Sequence, residues 1–254
     1  MTAAPDFAKT NARTLDQDEV DRFARLASEW WDPAGKFRTL HQIGPARLGY
    51  VRDELVRHFQ RPSSSMKPYA GLSLLDIGCG GGLICEPLAR LGGQVTGLDP
   101  AIENIEAARR HAAGQGLAID YVNATVEELQ KQGRQFDAVV CLEVVEHVPD
   151  VGAFLKSCAA LVRPSGLMLL STLNRTMKAY LLAIIGAEYV LRWLPVGTHQ
   201  WDRFVTPDEL SGHLSAAGLG QFACAGLVYN PLADTWSIGG DTDVNYMARA
   251  EKAV

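Results

Sequence analysis

A chain of 254 residues, 47% hydrophobic and 21% charged, can bury a full core without disulfides or metals, which sets aside fibrous, disordered and cystine-stapled architectures. Twenty-nine acidic against 24 basic side chains give a net charge of −5, which argues against nucleic acid as a general partner. The five cysteines, Cys79, Cys85, Cys141, Cys158 and Cys224, are scattered and never spaced C-x-x-C, against a zinc ribbon and a disulfide framework alike.

The opening MTAAPDFAKT has no apolar core of a signal peptide, and the longest apolar stretch, Ala179–Ala187, is too short to cross a bilayer. The expectation is a cytoplasmic chain. From Asp16 to Trp31, Val20, Phe23, Ala24, Ala27, Trp30 and Trp31 recur at helical spacing until Asp32-Pro33 stops the run. A second helix is expected after Pro45, with Leu48, Val51, Leu55 and Phe59 on one face. The Pro/Ser-rich run from Gln60 to Pro68 reads as a linker. The chain therefore divides into 1–68, an N-terminal helical segment and linker packing on the core, and 69–254, a larger domain with an insertion at 172–205.

Beyond the linker, strands and helices alternate. Strands are expected at Leu72–Asp76, Gln94–Asp99, Ala118–Val122, Phe136–Cys141 and Leu167–Ser171, with helices at Leu83–Leu91, Ile102–Ala113 and Val151–Leu161. Thr206-Pro-Asp-Glu209 is a capping-box start for a further helix. Gln221–Val228 and Val244–Ala250 read as closing strands around a turn-rich stretch, Asn230–Asp243. Such alternation predicts an α/β, doubly wound, mostly parallel seven-stranded sheet, with N-terminal helices and a helical insertion after strand five.

The most informative stretch is Leu74-Leu-Asp-Ile-Gly-Cys-Gly-Gly-Gly-Leu83. A buried strand ending at Asp76 runs into Gly78, Gly80, Gly81 and Gly82, residues that let backbone approach a ligand closely. The next strand ends at Asp99, placed to accept hydrogen bonds from both ribose hydroxyls of a nucleoside. The dinucleotide fingerprint G-x-G-x-x-G would need glycine at 83, where Leu83 stands, and Asp76 is a poor neighbour for a pyrophosphate. It suits a cationic ligand instead, such as the ammonium and sulfonium of S-adenosylmethionine.

These residues resemble the class I S-adenosylmethionine-dependent methyltransferases. LLDIGCGGG is similar to their first motif, GLDP with Asp99 to their ribose-binding acid, and LVRPSGLMLLST to their fifth-strand motif, with Ser165 where glycine is common. A closer resemblance spans nearly the whole chain. Trp30-Trp-Asp-Pro33, FRTLH from Phe37, PARLGY from Pro45, CLEVVEHVPD from Cys141, STLNRT from Ser171, HQWDRFVTPDEL from His199 and GLVYNPL from Gly226 resemble the ubiquinone biosynthesis O-methyltransferase family. The resemblance implies methylation of two phenolic hydroxyls on polyprenylated ubiquinone precursors, at different stages of the synthesis. It also implies that Arg47, Gly78, Asp99 and Leu142 contact the cofactor, and other proteins of that synthesis become conceivable partners. Arg47 alone would read as a solvated charge; a guanidinium clamped on the methionine carboxylate would give it a role.

After strand four, Glu143, Glu146 and His147 are spaced i, i+3, i+4 and share one face if the segment is helical. Capping or salt-bridge work is one reading. A His147 general base oriented or charged by Glu146 is a second. A divalent cation such as magnesium held by all three, chelating a catechol and lowering its pKa, is a third. His199, Asp202 and Arg203 form a further polar cluster that could close over substrate. Met177–Leu194 places Lys178, Glu188 and Arg192 on one side and Leu181, Ile184 and Leu191 on the other, with Leu182, Ile185, Tyr189 and Trp193 encroaching on the charged side, as expected of a helix in peripheral contact with a membrane or of a lid helix buried in the domain. Competing functions are a small-molecule methyltransferase acting on carbon or nitrogen, a non-catalytic scaffold on the same fold, and a redox enzyme.

Overall fold

The structure, a computed structural model, describes residues 14–180 and 201–254. Its centre is built on strands apolar on both faces. In β1 (Ser73–Ile77) Leu74 packs with one core and Leu75 and Ile77 with the other. In β4 (Phe136–Leu142) Ala138, Val140 and Leu142 share the face of Leu74, while Val139 and Cys141 share that of Leu75. A side-chain period of two with both faces apolar is the pattern of a parallel sheet covered on each side.

The parallel part is completed by β2 (Gln94–Asp99), β3 (Asp120–Asn123) and β5 (Val162–Leu173). The antiparallel flank holds β6 (Leu219–Asn230), β7 (Thr235–Gly239) and β8 (Asn245–Lys252). The described strands form one eight-stranded sheet in the order β3-β2-β1-β4-β5-β8-β6-β7. The fold is thus the doubly wound α/β class expected, with one strand more than seven. The addition is β7, which lies within the stretch read as turns and pairs Trp236 with Tyr229 and Ile238 with Leu227 across a hairpin.

Helices α3 (Cys85–Arg90) and α4 (Ile102–Gly114) cover the face of Leu74. Helices α5 (Val126–Lys131), α6 (Val151–Ala160) and, beyond Thr206, α8 (Pro207–Ala216) cover that of Leu75. The Thr206 capping box forms as expected, and a second one, Thr125 with Glu128, starts α5. The strand order reverses at β1, between β2 and β4, so the loops leaving β1 and β4 diverge and open a crevice at their carboxyl ends.

Two N-terminal helices differ from their sequence reading. Helix α1 (Gln17–Ala24) is capped by Asp16 and stops at Ala24; a short 3-10 turn, Ala27–Glu29, then re-aims the chain so that Trp30 and Trp31 both reach the glycine loop. Helix α2 (Arg38–His58) begins well before Pro45, which sits inside it. Proline removes one ladder donor there, yet the helix continues because Ile43, Arg47, Val51 and Leu55 are all buried along one side. Met177–Ala179 is a first helical turn, α7. The rest of the expected membrane-contact segment, with Leu181, Ile184 and Leu191, lies outside the described residues. Among the described residues no helix is long and apolar enough to cross a membrane.

Candidate active site

The loop after β1 is fixed from below and from the side. The amides of Gly78 and Cys79 both donate to the Leu98 carbonyl, at 2.8 and 3.0 Å, which ties the loop to β2. Gly78 and Gly80 hold φ of 69° and 51°, the left-handed region where a side chain costs energy. Space forbids one as well. A Cβ at Gly80 would stand 2.3 Å from the Trp30 ring, and one at Gly78 2.6 Å from Val144. Trp30 stacks on Phe37 with ring centres 3.8 Å apart and donates from Nε1 to Asn104 Oδ1 at 2.8 Å. Trp31 donates to the Gly81 carbonyl at 2.9 Å and stacks on His111. The tandem tryptophans thus pack on the glycine loop.

Asp99 ends β2 almost wholly buried. Its Oδ2 accepts from the Gly80 amide at 3.0 Å; its Oδ1 accepts from the Ala101 amide at 2.9 Å and from Asn104 Nδ2 at 3.1 Å. Burial raises its pKa above the ordinary carboxylate value in spite of those three donors. Asp99 therefore organises the loop besides facing the crevice. Asp76, one strand over, is also buried and accepts from Cys85 Sγ at 3.2 Å. Burial, reinforced by the charge of Asp99, pushes it up to about 7.

Arg47 comes in from α2 on the same side as Asp76 and Leu142. It is buried, its Nη2 reaches the Leu40 carbonyl only at 3.5 Å, and its Nη1 stands 3.7 Å from Glu143 Oε1. Its Nε has no partner. Desolvation lowers its pKa against the pull of Glu143, Glu146 and Asp76. An open guanidinium edge fits an incoming carboxylate, and a buried acid held near neutrality fits an incoming cation. The amino-acid end of S-adenosylmethionine carries both charges.

The loop after β4 carries the other half. Glu143 has φ of 56°, an unusual conformation for a residue with a side chain, and its carboxylate accepts from Ser171 Oγ at 2.6 Å and Asn245 Nδ2 at 3.3 Å. Glu146 is buried in a 3-10 turn, Val145–His147, and accepts from Thr172 Oγ1 at 2.9 Å while its Oε1 has no partner. Burial, then the charge of Glu143, pushes Glu146 up to about 8. His147 turns away from both and meets Glu19 of α1, Nδ1 to Oε2, at 2.9 Å, with the Phe23 ring edge-on beside it.

The expected metal triad is therefore not assembled: Glu143 is committed to Ser171 and Asn245, Glu146 to Thr172, and His147 to Glu19. Among the described residues no three such side chains converge as metal ligands. The segment is not an α-helix, so the i, i+3, i+4 spacing does not align the three side chains. Of the second polar cluster, Arg203 pairs with Asp16 at 2.9 Å, Asp202 is exposed, and His199 lies outside the described residues.

All the expected cofactor residues, Arg47, Asp76, Gly78, Gly80, Asp99 and Leu142, line one cavity of about 1070 Å³, together with Glu143, Glu146 and His147. Helix α1 contributes Glu19 and Phe23 to the same wall. Sequence reasoning missed Asn104, Asn245 and Glu19. Asn104, five residues past Asp99 at the start of the following helix, was within reach of a local reading; the other two meet their partners only through the fold.

This combination, a doubly wound sheet with an acidic first strand end, a glycine loop and a second acid at the next strand end, defines a class I S-adenosylmethionine-dependent methyltransferase. A methyltransferase domain family model matches residues 75–170. Two solved methyltransferases share the fold: magnesium protoporphyrin IX methyltransferase from Synechocystis (TM-score 0.62, 20% identity, 93% of this chain and 94% of that one) and a possible histamine N-methyltransferase from Thermotoga maritima (TM-score 0.63, 17% identity, 91% and 98%). Among curated proteins, the ubiquinone biosynthesis O-methyltransferase of Rhodopseudomonas palustris strain BisB18 is 53% identical over 100% of this chain and 99% of its own length. That of Chelativorans sp. is 55% identical over 94% of each. The chain belongs to the ubiquinone biosynthesis O-methyltransferase family.

Proposed function

We propose that the protein transfers the methyl group of S-adenosylmethionine to phenolic hydroxyls of prenylated ubiquinone precursors, at both O-methylation steps. The observation that carries the reading is the single cavity in which the paired acids, Asp76 and Asp99, and Arg47 on one side meet Glu146 and His147 on the other. S-adenosylmethionine, when bound, supplies an electrophilic methyl on a sulfonium. Asp99 would hold the ribose, Asp76 the ammonium and Arg47 the carboxylate, with Leu142 against the adenine. Burial, then the charge of Glu143, raises the Glu146 pKa to about 8, and its carboxyl is held by Thr172 Oγ1. His147 remains as the base for the phenol proton. It lines the same cavity as the cofactor residues. Aligning oxygen, carbon and sulfur in one cavity supplies much of the remaining acceleration.

The test is transfer of labelled methyl from the cofactor to demethylated prenyl catechols and monophenols. Label on carbon or nitrogen acceptors alone would favour the other small-molecule methyltransferases; none at all, with the cofactor bound, would favour a scaffold. A divalent cation as an added aid to deprotonation is a second reading, favoured by one observation: the Glu146 Oε1 lacks a partner beside a second carboxylate. Loss of turnover in EDTA, restored by magnesium with cofactor affinity untouched, would establish it; full turnover in EDTA leaves the histidine base alone. Peripheral membrane contact through Met177–Leu194 belongs to the same reading, since a prenylated phenol dissolves in lipid. Liposome co-sedimentation that falls on Leu181→Glu with Ile184→Glu would support it.

A further inference from the structure

The residues assigned to the methyl donor occupy one end of the cavity and leave the other end without a role. Asp99 and Asp76 stand at the carboxyl ends of β2 and β1, and Leu142 and Glu143 follow at the end of β4. The cavity wall continues past them along the sheet to the hairpin of β6 and β7 at the far edge, where Leu227, Tyr229 and Trp236 line it. In the strand order β7 stands four places beyond β4, so at about 4.8 Å per strand the wall runs on for about 19 Å. Tyr229 and Trp236 are opposed in the β6–β7 ladder, with ring centres 5.2 Å apart. Helix α2 packs against β7 and brings Leu40, Ile43 and Leu48 to the same cavity. The Tyr229 hydroxyl donates to Asp234 at 2.7 Å, and Leu227 is buried in the core cluster against which Trp236 packs. What the hairpin presents to the cavity is therefore anchored aromatic and aliphatic surface. Beyond it, in the hairpin turn, Leu232 is 98% exposed.

We propose that the sleeve between α2 and the β6–β7 hairpin holds the isoprenoid chain of the acceptor, with Trp236 as the residue that sets how much the chain contributes to binding. The inference deepens the proposed function and rests on it. An apolar wall of this length exceeds what a phenol ring covers, and it offers nothing to the charged amino-acid end of the donor. It is continuous with the reaction cavity, so the occupant it fits is one attached to the reacting ring. An isoprenoid chain is apolar throughout and flexible enough to follow a twisted sheet. Moving such hydrocarbon out of water is favourable in proportion to its area, and a wall already fixed by packing loses little freedom in receiving it. A chain longer than the wall reaches the protein surface at the turn, where Leu232 stands exposed. Binding energy gathered far from the reacting oxygen then holds the ring in line for attack on the methyl group.

The experiment measures kcat/KM of the full chain on catechols carrying no chain and one, two or three isoprene units. The parent should gain with each unit, ~10-fold or more from the chainless catechol to the longest. Trp236→Ala should lower kcat/KM ~10–100-fold on the three-unit acceptor and leave the chainless one within about twofold. Its affinity for S-adenosylhomocysteine should match the parent's, and Trp236→Phe should keep most of the gain. Tyr229→Ala opens the same sleeve from β6 and gives the same test if Trp236→Ala does not fold. Ile238, on the same hairpin, is 39% exposed and does not line the cavity, so Ile238→Ala should follow the parent on every acceptor. Equal losses on all acceptors would make Trp236 and Tyr229 structural residues only, and a gain with chain length that survives both substitutions would put the chain elsewhere. Either result overturns the inference and leaves methyl transfer intact, as does a parent that methylates the chainless catechol with no gain from a chain. No methylation of any catechol, with S-adenosylhomocysteine bound, overturns the proposed function, and the sleeve falls with it.

Discussion

Removing the Asp99 carboxylate should damage two things at once. Seen only as a ribose ligand, Asp99→Ala would weaken cofactor binding and leave the fold alone. In the structure the carboxylate also terminates the Gly80 amide, the Ala101 amide and the Asn104 side chain, all within 3.1 Å. A buried donor stranded without its acceptor costs about 1–3 kcal/mol. Water entering from the cavity would relieve part of that for three donors, so a net loss of about 2–4 kcal/mol is expected. For a chain of this size each kcal/mol lowers Tm by roughly 2–4 °C, so the variant should melt about 5–15 °C below the parent. S-adenosylhomocysteine affinity should fall at least tenfold, about 1.4 kcal/mol, because the ribose partner and the loop conformation go together. Calorimetric titration gives the second quantity and a thermal scan the first. A variant that melts with the parent would refute the loop-organising role; unchanged affinity would remove Asp99 from the site.

Gly80→Ala should be worse for binding than its size suggests, since the new methyl meets the Trp30 ring at 2.3 Å in a left-handed backbone; indole fluorescence and titration with S-adenosylhomocysteine would report it. Ser165→Gly should stabilise the protein by a few tenths to about 1 kcal/mol, because Ser165 sits at φ of 59°, where a Cβ costs about 1–2 kcal/mol and glycine's greater entropy loss returns part of the gain; urea unfolding would detect it. Glu146 supplies a pH test. Its folded pKa, about 8, exceeds its reference value of 4.5, so the folded state binds the extra proton between those limits. That contribution is fully present below 4.5 and is lost as pH rises through about 8. Tm of the parent should therefore decline across that window more steeply than Tm of Glu146→Gln; parallel curves would mean that Glu146 ionises normally.

The parallel half of the fold was legible because buried parallel strands write themselves as short apolar runs, and Leu74-Leu75 and Val139-Val140 are such runs with no competing helical period. Strand β7 was not, because Thr235–Gly239 is mostly exposed and owes its conformation to the hairpin partner across from Tyr229. Pro45 obscured the start of α2 because its local cost is readable and the burial that outweighs it is not. At the site the same division holds. Asp76, the glycine loop and Asp99 follow from chain order alone. The environment of Glu146 depends on Thr172 and Glu143, and the partner of His147 comes from the far end of the chain, so no local spacing encodes either. Ser165 shows a milder case: its departure from glycine looks like a harmless surface change, yet the backbone there keeps the glycine-like conformation.

The contact of Trp30 and Trp31 with the glycine loop has a consequence for how the molecule is born. The tandem tryptophans leave the ribosome well before the residues they seal: Trp30 bonds to Asn104, 74 positions later, and Asp16 to Arg203, 187 positions later. Phe23, Trp30, Trp31 and Phe37, which end in one apolar cluster, must wait uncovered while the sheet is synthesised. Contacts so distant in sequence form slowly, because the loop-closure entropy is spent before any burial is gained. The segment is thus made before the elements it packs on and docks late, and in that interval its aromatic side chains are apolar surface of the kind chaperones exist to hold.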